Sequence, residues 1–215
     1  MVGSVTPMMA QFSNTGGSKS LIFSEQEVAP YYNRLSVGYN ATFMSAGGLS
    51  TTCNGFTAKY VHGFGLSKTI PLYLEAGLKL NMDFWSNTET NSGWGVTETD
   101  KFNMLYVGIP VNVAYRLSFN NNISLQPYTG INFRVNIYGQ HTTEFSYKGE
   151  KESKSESESL VFGDDGWKRF QMGWQIGLGL NLKKFYLGFE YGLDFMKIAP
   201  ETKTSHVEVS LGVNI

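Results

Sequence analysis

Eight ionisable residues fall at alternating positions that otherwise carry small or polar side chains: Lys59, Glu75, Lys79, Asp83, Arg134, Glu190, Asp194 and Glu208. Their neighbours at the intervening positions are apolar. Two kinds of chemistry suit such a set of mixed sign once a fold collects it in one enclosed space. A hydrated file of charges is a selective ion path. Charges that meet one another instead form a hydrogen-bonded plug, because charge withdrawn from water has to be paired. A narrow enclosure leaves little room for water, so the plug is the expectation.

Other reactive residue types are few. The histidines are His62, His141 and His206. A hydrolytic site needs a nucleophile, an adjacent base and an orienting acid, and spacing alone assembles no such trio, although Ser205 stands beside His206. The expectation is that the chain is not an enzyme. Cys53 is the single cysteine. It rules out an intrachain disulfide, has no CxxC partner or nearby histidine cluster for a metal, and reads as a free loop thiol. Gly177-Leu-Gly179 is no nucleotide fingerprint, because no βαβ unit surrounds it. No cofactor and no metal are expected. The run from Lys148 to Glu158 mixes both charge signs with serines and reads as a solvated external loop.

The elements that must position the charged set are strands. From Leu72 to Trp85 apolar and polar residues alternate strictly: Leu72, Leu74, Ala76, Leu78, Leu80, Met82 and Phe84 against Tyr73, Glu75, Gly77, Lys79, Asn81, Asp83 and Trp85. Side chains of a strand point to opposite faces in turn. The same pattern recurs over 35–43, 56–65, 105–117, 123–137, 170–182, 185–195 and 207–215. Segments of this length suit tilted strands crossing a bilayer, and an even number of antiparallel strands can close without an edge. The predicted fold is all-β: an eight-stranded, antiparallel, up-and-down transmembrane β-barrel over 34–215, preceded by 1–33, read as a signal-peptide remnant and flexible leader. Pro110 and Pro127 fall within strands and cannot donate to a ladder, so a bulge or a lost bond is expected at each.

Alternation does not say which face is outside, and a soluble lipocalin-like ligand-binding barrel would hide its apolar face. Three features favour apolar-out. The polar face is rich in glycine, including Gly38, Gly77, Gly177, Gly179, Gly188 and Gly192, as a lumen barely wide enough for its side chains requires. It carries too little charge for a water-facing surface. The apolar face is bulky and holds no Lys, Arg, Asp or Glu, and its Leu, Phe, Tyr and Trp would overfill a small lumen. The composition agrees: charged residues are 16%, aromatics 14%, and net charge is -1, which gives no reason to expect nucleic acid as a partner.

Short connections near 67–70, 118–122 and 183–184 alternate with longer ones at 45–54, 86–101 and 139–169. In outer-membrane barrels the short turns are periplasmic and the long loops external. Both termini are therefore expected in the periplasm, Cys53 outside, and any extracellular partner at the three long loops.

The segments Tyr106-Val-Gly-Ile-Pro110 through Ala114-Tyr115-Arg116, Gly173-Trp-Gln-Ile-Gly-Leu-Gly179 and Phe185-Tyr-Leu-Gly-Phe-Glu-Tyr191 resemble the outer-membrane β-barrel domain of Bacteroidota, the PorT-like group. The resemblance spans roughly Arg34 to Ile215. It implies a cell outer membrane location in a Gram-negative bacterium, contact with outer-membrane lipid and insertion by the assembly machinery. One departure is Ile215, where such barrels often carry an aromatic residue. The functional expectation is a structural or surface-interaction role with a lumen filled by side chains; the alternative is a narrow porin-like channel for ions or small solutes.

Overall fold

The computed structural model describes residues 28–91, 96–120, 122–147, 154–160, 162 and 167–215. The proposed signal-peptide remnant lies outside them. Ten strands form in chain order: β1 (Tyr31–Ala46), β2 (Leu49–Gly65), β3 (Leu72–Asn91), β4 (Val96–Tyr115), β5 (Leu117–Asn120), β6 (Ile123–Tyr147), β7 (Lys154–Ser159), β8 (Phe170–Leu182), β9 (Phe185–Asp194) and β10 (Lys203–Asn214). Each long strand pairs antiparallel with its chain neighbours, and β4 pairs β6. β1 and β10 close the ring, from Arg34 opposite Asn214 to Ser45 opposite Lys203. The barrel therefore has eight strands, β1–β4, β6 and β8–β10, with β5 and β7 as additions to β6.

The facing is apolar-out. Val37, Leu78, Ile109, Leu187, Phe189 and Leu211 are exposed, while Arg34, Lys59, Glu75, Lys79 and Glu208 are buried in the lumen. In water such a band would far exceed the apolar patch a monomer tolerates; in lipid it is the matched surface. The band ends at Phe56 in β2 and Phe84 in β3, whose rings pack at 5.9 Å. Beyond them the outward positions become Asn54 and Thr52, and Ser86 and Thr88.

The glycines of the inner face make room for rings. A Cβ at Gly177 would enter the Tyr128 ring, and one at Gly179 or Gly188 would meet Tyr186. Large side chains on one strand thus lie over bare backbone on the next, which is how a narrow lumen is filled without voids.

Several boundaries differ from the sequence reading. The barrel begins at Tyr31 rather than Arg34, so Tyr31–Asn33 belong to β1 and not to the leader. The described residues of the three long connections are largely strand. In the first, only Gly47 and Gly48 turn, at φ of 56° and 86°, values glycine reaches without steric cost. In the second, β3 and β4 stay paired from Ser86–Lys101 out to Asn91–Val96. In the third, β6 runs to Tyr147 and β7 pairs with it from Gln140–Ser159 to Phe145–Lys154. A sheet of β3, β4, β6 and β7 therefore stands beyond the apolar band, about 20 Å tall at roughly 3.3 Å per residue. The described part of the Lys148–Glu158 run is exposed strand, not loop.

Both prolines lose ladder pairs without shifting register. Pairing of β3 with β4 is interrupted between Ala76–Val111 and Lys79–Gly108, where Pro110 lies. Pairing of β6 with β4 and β5 is interrupted between Ala114–Tyr128 and Leu117–Leu125, where Pro127 lies. Register shifts sit elsewhere, between Ser118 and Asn120 of β5 and between Leu105–Tyr138 and Tyr106–Asn136; the latter turns both Ile137 and Tyr138 outward.

Candidate functional site: the buried polar lumen

All eight charged residues singled out from the sequence are buried and point into the barrel. They occupy three layers, and no two of them form an ion pair along one strand.

At the end where β1 begins and β10 finishes, Glu75 is the hub. Its carboxylate accepts from Arg34 Nη2 at 2.9 Å, Tyr32 Oη at 2.5 Å, Gln126 Nε2 at 2.9 Å and Asn112 Nδ2 at 3.2 Å. The Arg34 guanidinium lies 4.0 Å from the Tyr186 ring centroid, and that of Arg116 lies 4.3 Å from Tyr32. Four donors around one carboxylate, with rings over both guanidinium groups, leave this end of the lumen filled.

The middle layer crosses the barrel. Lys59 stands directly opposite Lys79 across β2 and β3, and Glu190 opposite Glu208 across β9 and β10. Like charges directly opposed on neighbouring strands destabilise a sheet, so each pair needs the other. β1 lies between them and at this level offers the short inward residues Ser36, Gly38 and Asn40, which leaves the lysines free to span the lumen. Lys59 Nζ is 3.0 Å from Glu190 and 2.8 Å from Glu208; Lys79 Nζ is 3.2 Å and 2.6 Å from the same two. Tyr128 Oη donates to Glu190 at 3.0 Å, and His206 Nε2 stands 3.6 Å from it.

In the third layer Asp83 accepts from Asn40 Nδ2 at 2.7 Å, Thr42 Oγ1 at 2.9 Å and Asn81 Nδ2 at 2.6 Å. Arg134 Nη2 pairs with Asp194 at 2.5 Å, and Thr204 Oγ1 donates to the same carboxylate. Above this layer the inward side chains become apolar: Cys53, Phe102, Met104 and Ile198, with Met44, Trp85, Leu160 and Trp167 packed around them.

The structure thus joins Lys59, Lys79, Glu190 and Glu208 in one cluster and Arg134 with Asp194, and places Glu75 and Asp83 in separate layers. Glu75 and Asp83, which lie four residues to either side of Lys79 on the same face of β3, do not pair with it. Four residues on a strand is about 13 Å, more than the side chains bridge. Cys53 is not a loop thiol: it is an inward residue of β2 with 1% exposure. His141 belongs to β6, 3.3 Å from Asp100. His62 faces outward against Asn33 at 2.6 Å and Phe64, while His206 is inward. Tyr32, Arg34, Asn112, Gln126, Tyr128 and His206 are network members the sequence reading left out. Strand parity would have found Asn112, Gln126 and Tyr128, which share the inward face of their strands with Gly108 and Arg134.

Among the described residues no group of His, Cys, Asp and Glu is arranged to hold a metal ion, and no helix is long and apolar enough to cross a membrane, which says nothing of a barrel.

A family model described as outer membrane protein beta-barrel domain matches residues 12–197. No curated protein matches. Among solved structures, the chain is similar to Ail, the attachment invasion locus protein of Yersinia pestis, at 16% identity and a TM-score of 0.43, over 87% of this chain and 100% of that one. It is similar to Neisserial surface protein A at 13% identity and a TM-score of 0.44, over 87% and 97%. It is also similar to the N-terminal β-barrel domain of Pseudomonas aeruginosa OprF at 10% identity and a TM-score of 0.32, over 84% and 97%. With its closed eight-stranded ring, lipid-facing exterior and a family match over most of its length, the chain belongs to the outer membrane protein β-barrel domain family.

Proposed function

We propose that this outer-membrane barrel is a non-enzymatic, non-conducting anchor that works through its projecting sheet, with both termini in the periplasm. The observation that carries the reading is the four-way pairing of Lys59 and Lys79 with Glu190 and Glu208 across the lumen. An eight-stranded barrel has an interior just wide enough for side chains, and here they meet in the centre. An ion passing through would have to separate buried partners, which costs several kcal/mol.

The sheet of β3, β4, β6 and β7 supports an interaction role, as it reaches past the apolar band on the end opposite the termini. One of its faces is a ladder of hydroxyls: Thr88 with Thr99 at 3.1 Å, Thr90 with Thr97 at 3.3 Å, and Thr142 with Ser157 at 3.0 Å. The other is mostly polar and acidic, with Asp100, Glu156 and Glu158. The 45–54, 86–101 and 139–169 segments are the surfaces an extracellular partner would meet. The PorT-like segments quoted above support placement in that Bacteroidota group, with insertion by the outer-membrane assembly machinery.

Single-channel recording in planar bilayers tests the closed lumen. The expected result is no steady conductance from the purified barrel, and its appearance when Lys59 and Lys79 are both replaced by Ser. Steady, sizeable currents from the unaltered protein would establish the narrow-channel alternative instead.

A further inference from the structure

A cavity of 340 Å³ opens at the mouth of the barrel, at the end that carries the β1–β2 turn. Its walls are Met44, Cys53, Trp85, Phe102 and Trp167, and its rim includes Thr51, Thr202 and His141. Trp85, Phe102 and His141 form one cross-strand row on the inner face of β3, β4 and β6. Trp167 comes from the segment before β8 and lays its ring 5.2 Å from that of Phe102, at 33°.

Two features set this region apart. Lower in the lumen the inward positions are dominated by charged, amide and hydroxyl side chains, each layer hydrogen-bonded, whereas here they become aromatic and thioether although the mouth faces water. A cap that served only to close the barrel would settle to core density. This one keeps a space equal to the share of about eleven waters in the liquid, within the size range of small-molecule sites. The lining, which also includes Ala46 and Leu49, holds no acid: Asp100 stands 3.3 Å from His141, and Glu158, opposite His141 on β7, is outside the lining. A charged ligand entering between the tryptophans would lose its hydration without gaining a partner. Met44 adapts its shape to flat guests.

We infer that the mouth cavity is a binding site for a small, neutral ligand with an aromatic body of one or two rings, held between Trp85, Phe102 and Trp167 with any polar end at the His141, Thr51 and Thr202 rim. This site is separate from the lumen plug and borders the base of the projecting sheet through His141.

Cys53, the single cysteine, lines the cavity and reports on it. In the folded barrel in detergent, Cys53 is exposed to dithiodipyridine, a neutral aromatic disulfide. The thiolate forms a new S–S bond with one pyridyl sulfur and releases the other as thiopyridone, which is read by absorbance. The expected result is reaction at least about tenfold faster, 1.4 kcal/mol in barrier, than with the dicarboxylate analogue dithiobis(nitrobenzoate). Indole, used as the reversible probe, slows the neutral reagent saturably. Thr51→Trp, which fills the cavity from its half-buried rim, abolishes the indole effect while the unboiled barrel keeps its shifted gel mobility. If that variant does not fold, Trp167→Ala serves instead and weakens indole protection by about tenfold. Equal rates for the two reagents, absent or unsaturable protection, or protection that persists in the filled or wall-deleted variant would each overturn the site, the last by assigning the effect to indole dissolved in detergent.

Discussion

Replacing Lys79 by Leu tests whether the lumen charges act as one unit. The substitution leaves Lys59 facing both Glu190 and Glu208, at 3.0 and 2.8 Å, so one buried negative charge loses its counterpart. Breaking a buried pair in this way costs about 3–5 kcal/mol. A second substitution, Glu208→Leu, removes the surplus charge and leaves the Lys59–Glu190 pair intact. Because a buried ion pair exchanged for apolar side chains of similar volume is close to neutral, the double variant should regain most of the loss. The two substitutions should therefore couple by about 2 kcal/mol or more, within the range measured for groups in one network. Urea unfolding of the barrel in lipid vesicles, followed by tryptophan fluorescence and by the gel shift of unboiled samples, gives the four corners of the cycle. Additive losses, with the double variant weaker than either single one, would refute the crossed pairing. Coupling of Lys79→Leu to Glu75→Gln rather than to Glu208→Leu would put the partner on the same strand instead.

Three further outcomes are expected. Leu78→Arg places a cation on the lipid face beside Tyr60 and should destabilise the barrel by about 2–4 kcal/mol near mid-bilayer, measured by the same unfolding assay. Gly177→Leu drives a side chain into the Tyr128 ring and should cost about 1–3 kcal/mol by overpacking, or prevent refolding outright; an unchanged unfolding midpoint would show that Tyr128 has room to move. In a Cys53→Ser background, Leu49→Cys at the β1–β2 turn should react with a membrane-impermeant thiol reagent on intact cells, whereas Lys184→Cys at the β8–β9 turn should react only once the outer membrane is opened; the reverse pattern would invert the assigned orientation.

How much of this was legible in the sequence depends on what each residue answers to. The lipid-crossing strands were, because bilayer contact imposes a period of two on Leu72 to Phe84 and on their counterparts. The same rule hid the projecting sheet. Ser86 to Asn91 and Val96 to Lys101 are as much strand as Leu72 to Phe84, but both of their faces meet water, so no apolar rhythm marks them. Which residues point inward was also legible; which of them meet was not. Lys79 finds Glu208 only because β1 and β10 pair and bring distant strands across a narrow lumen, and neither closure nor strand stagger is written in local spacing. Tyr32 and Arg34 were overlooked for a different reason. They follow a polar leader, and only the preceding turn of inward parity, carried back from Ser36, assigns them to the wall.

The seam between β1 and β10 has a consequence for how the molecule comes into being. Its hydrogen bonds continue to the last residue, where Ile215 N donates to Asn33 O at 3.0 Å. The ring is therefore joined by strands from opposite ends of the barrel sequence, and these contacts span the greatest sequence separation in it. Such distant pairing is slow to form. Until it forms, β1 and β10 each present an unpaired edge that is ready to bind the wrong strand. The vulnerable interval in assembly is thus the time before β1 meets β10, and a permuted chain with its ends moved to the Lys183–Lys184 turn would move the open seam to β8 and β9 without altering the finished wall.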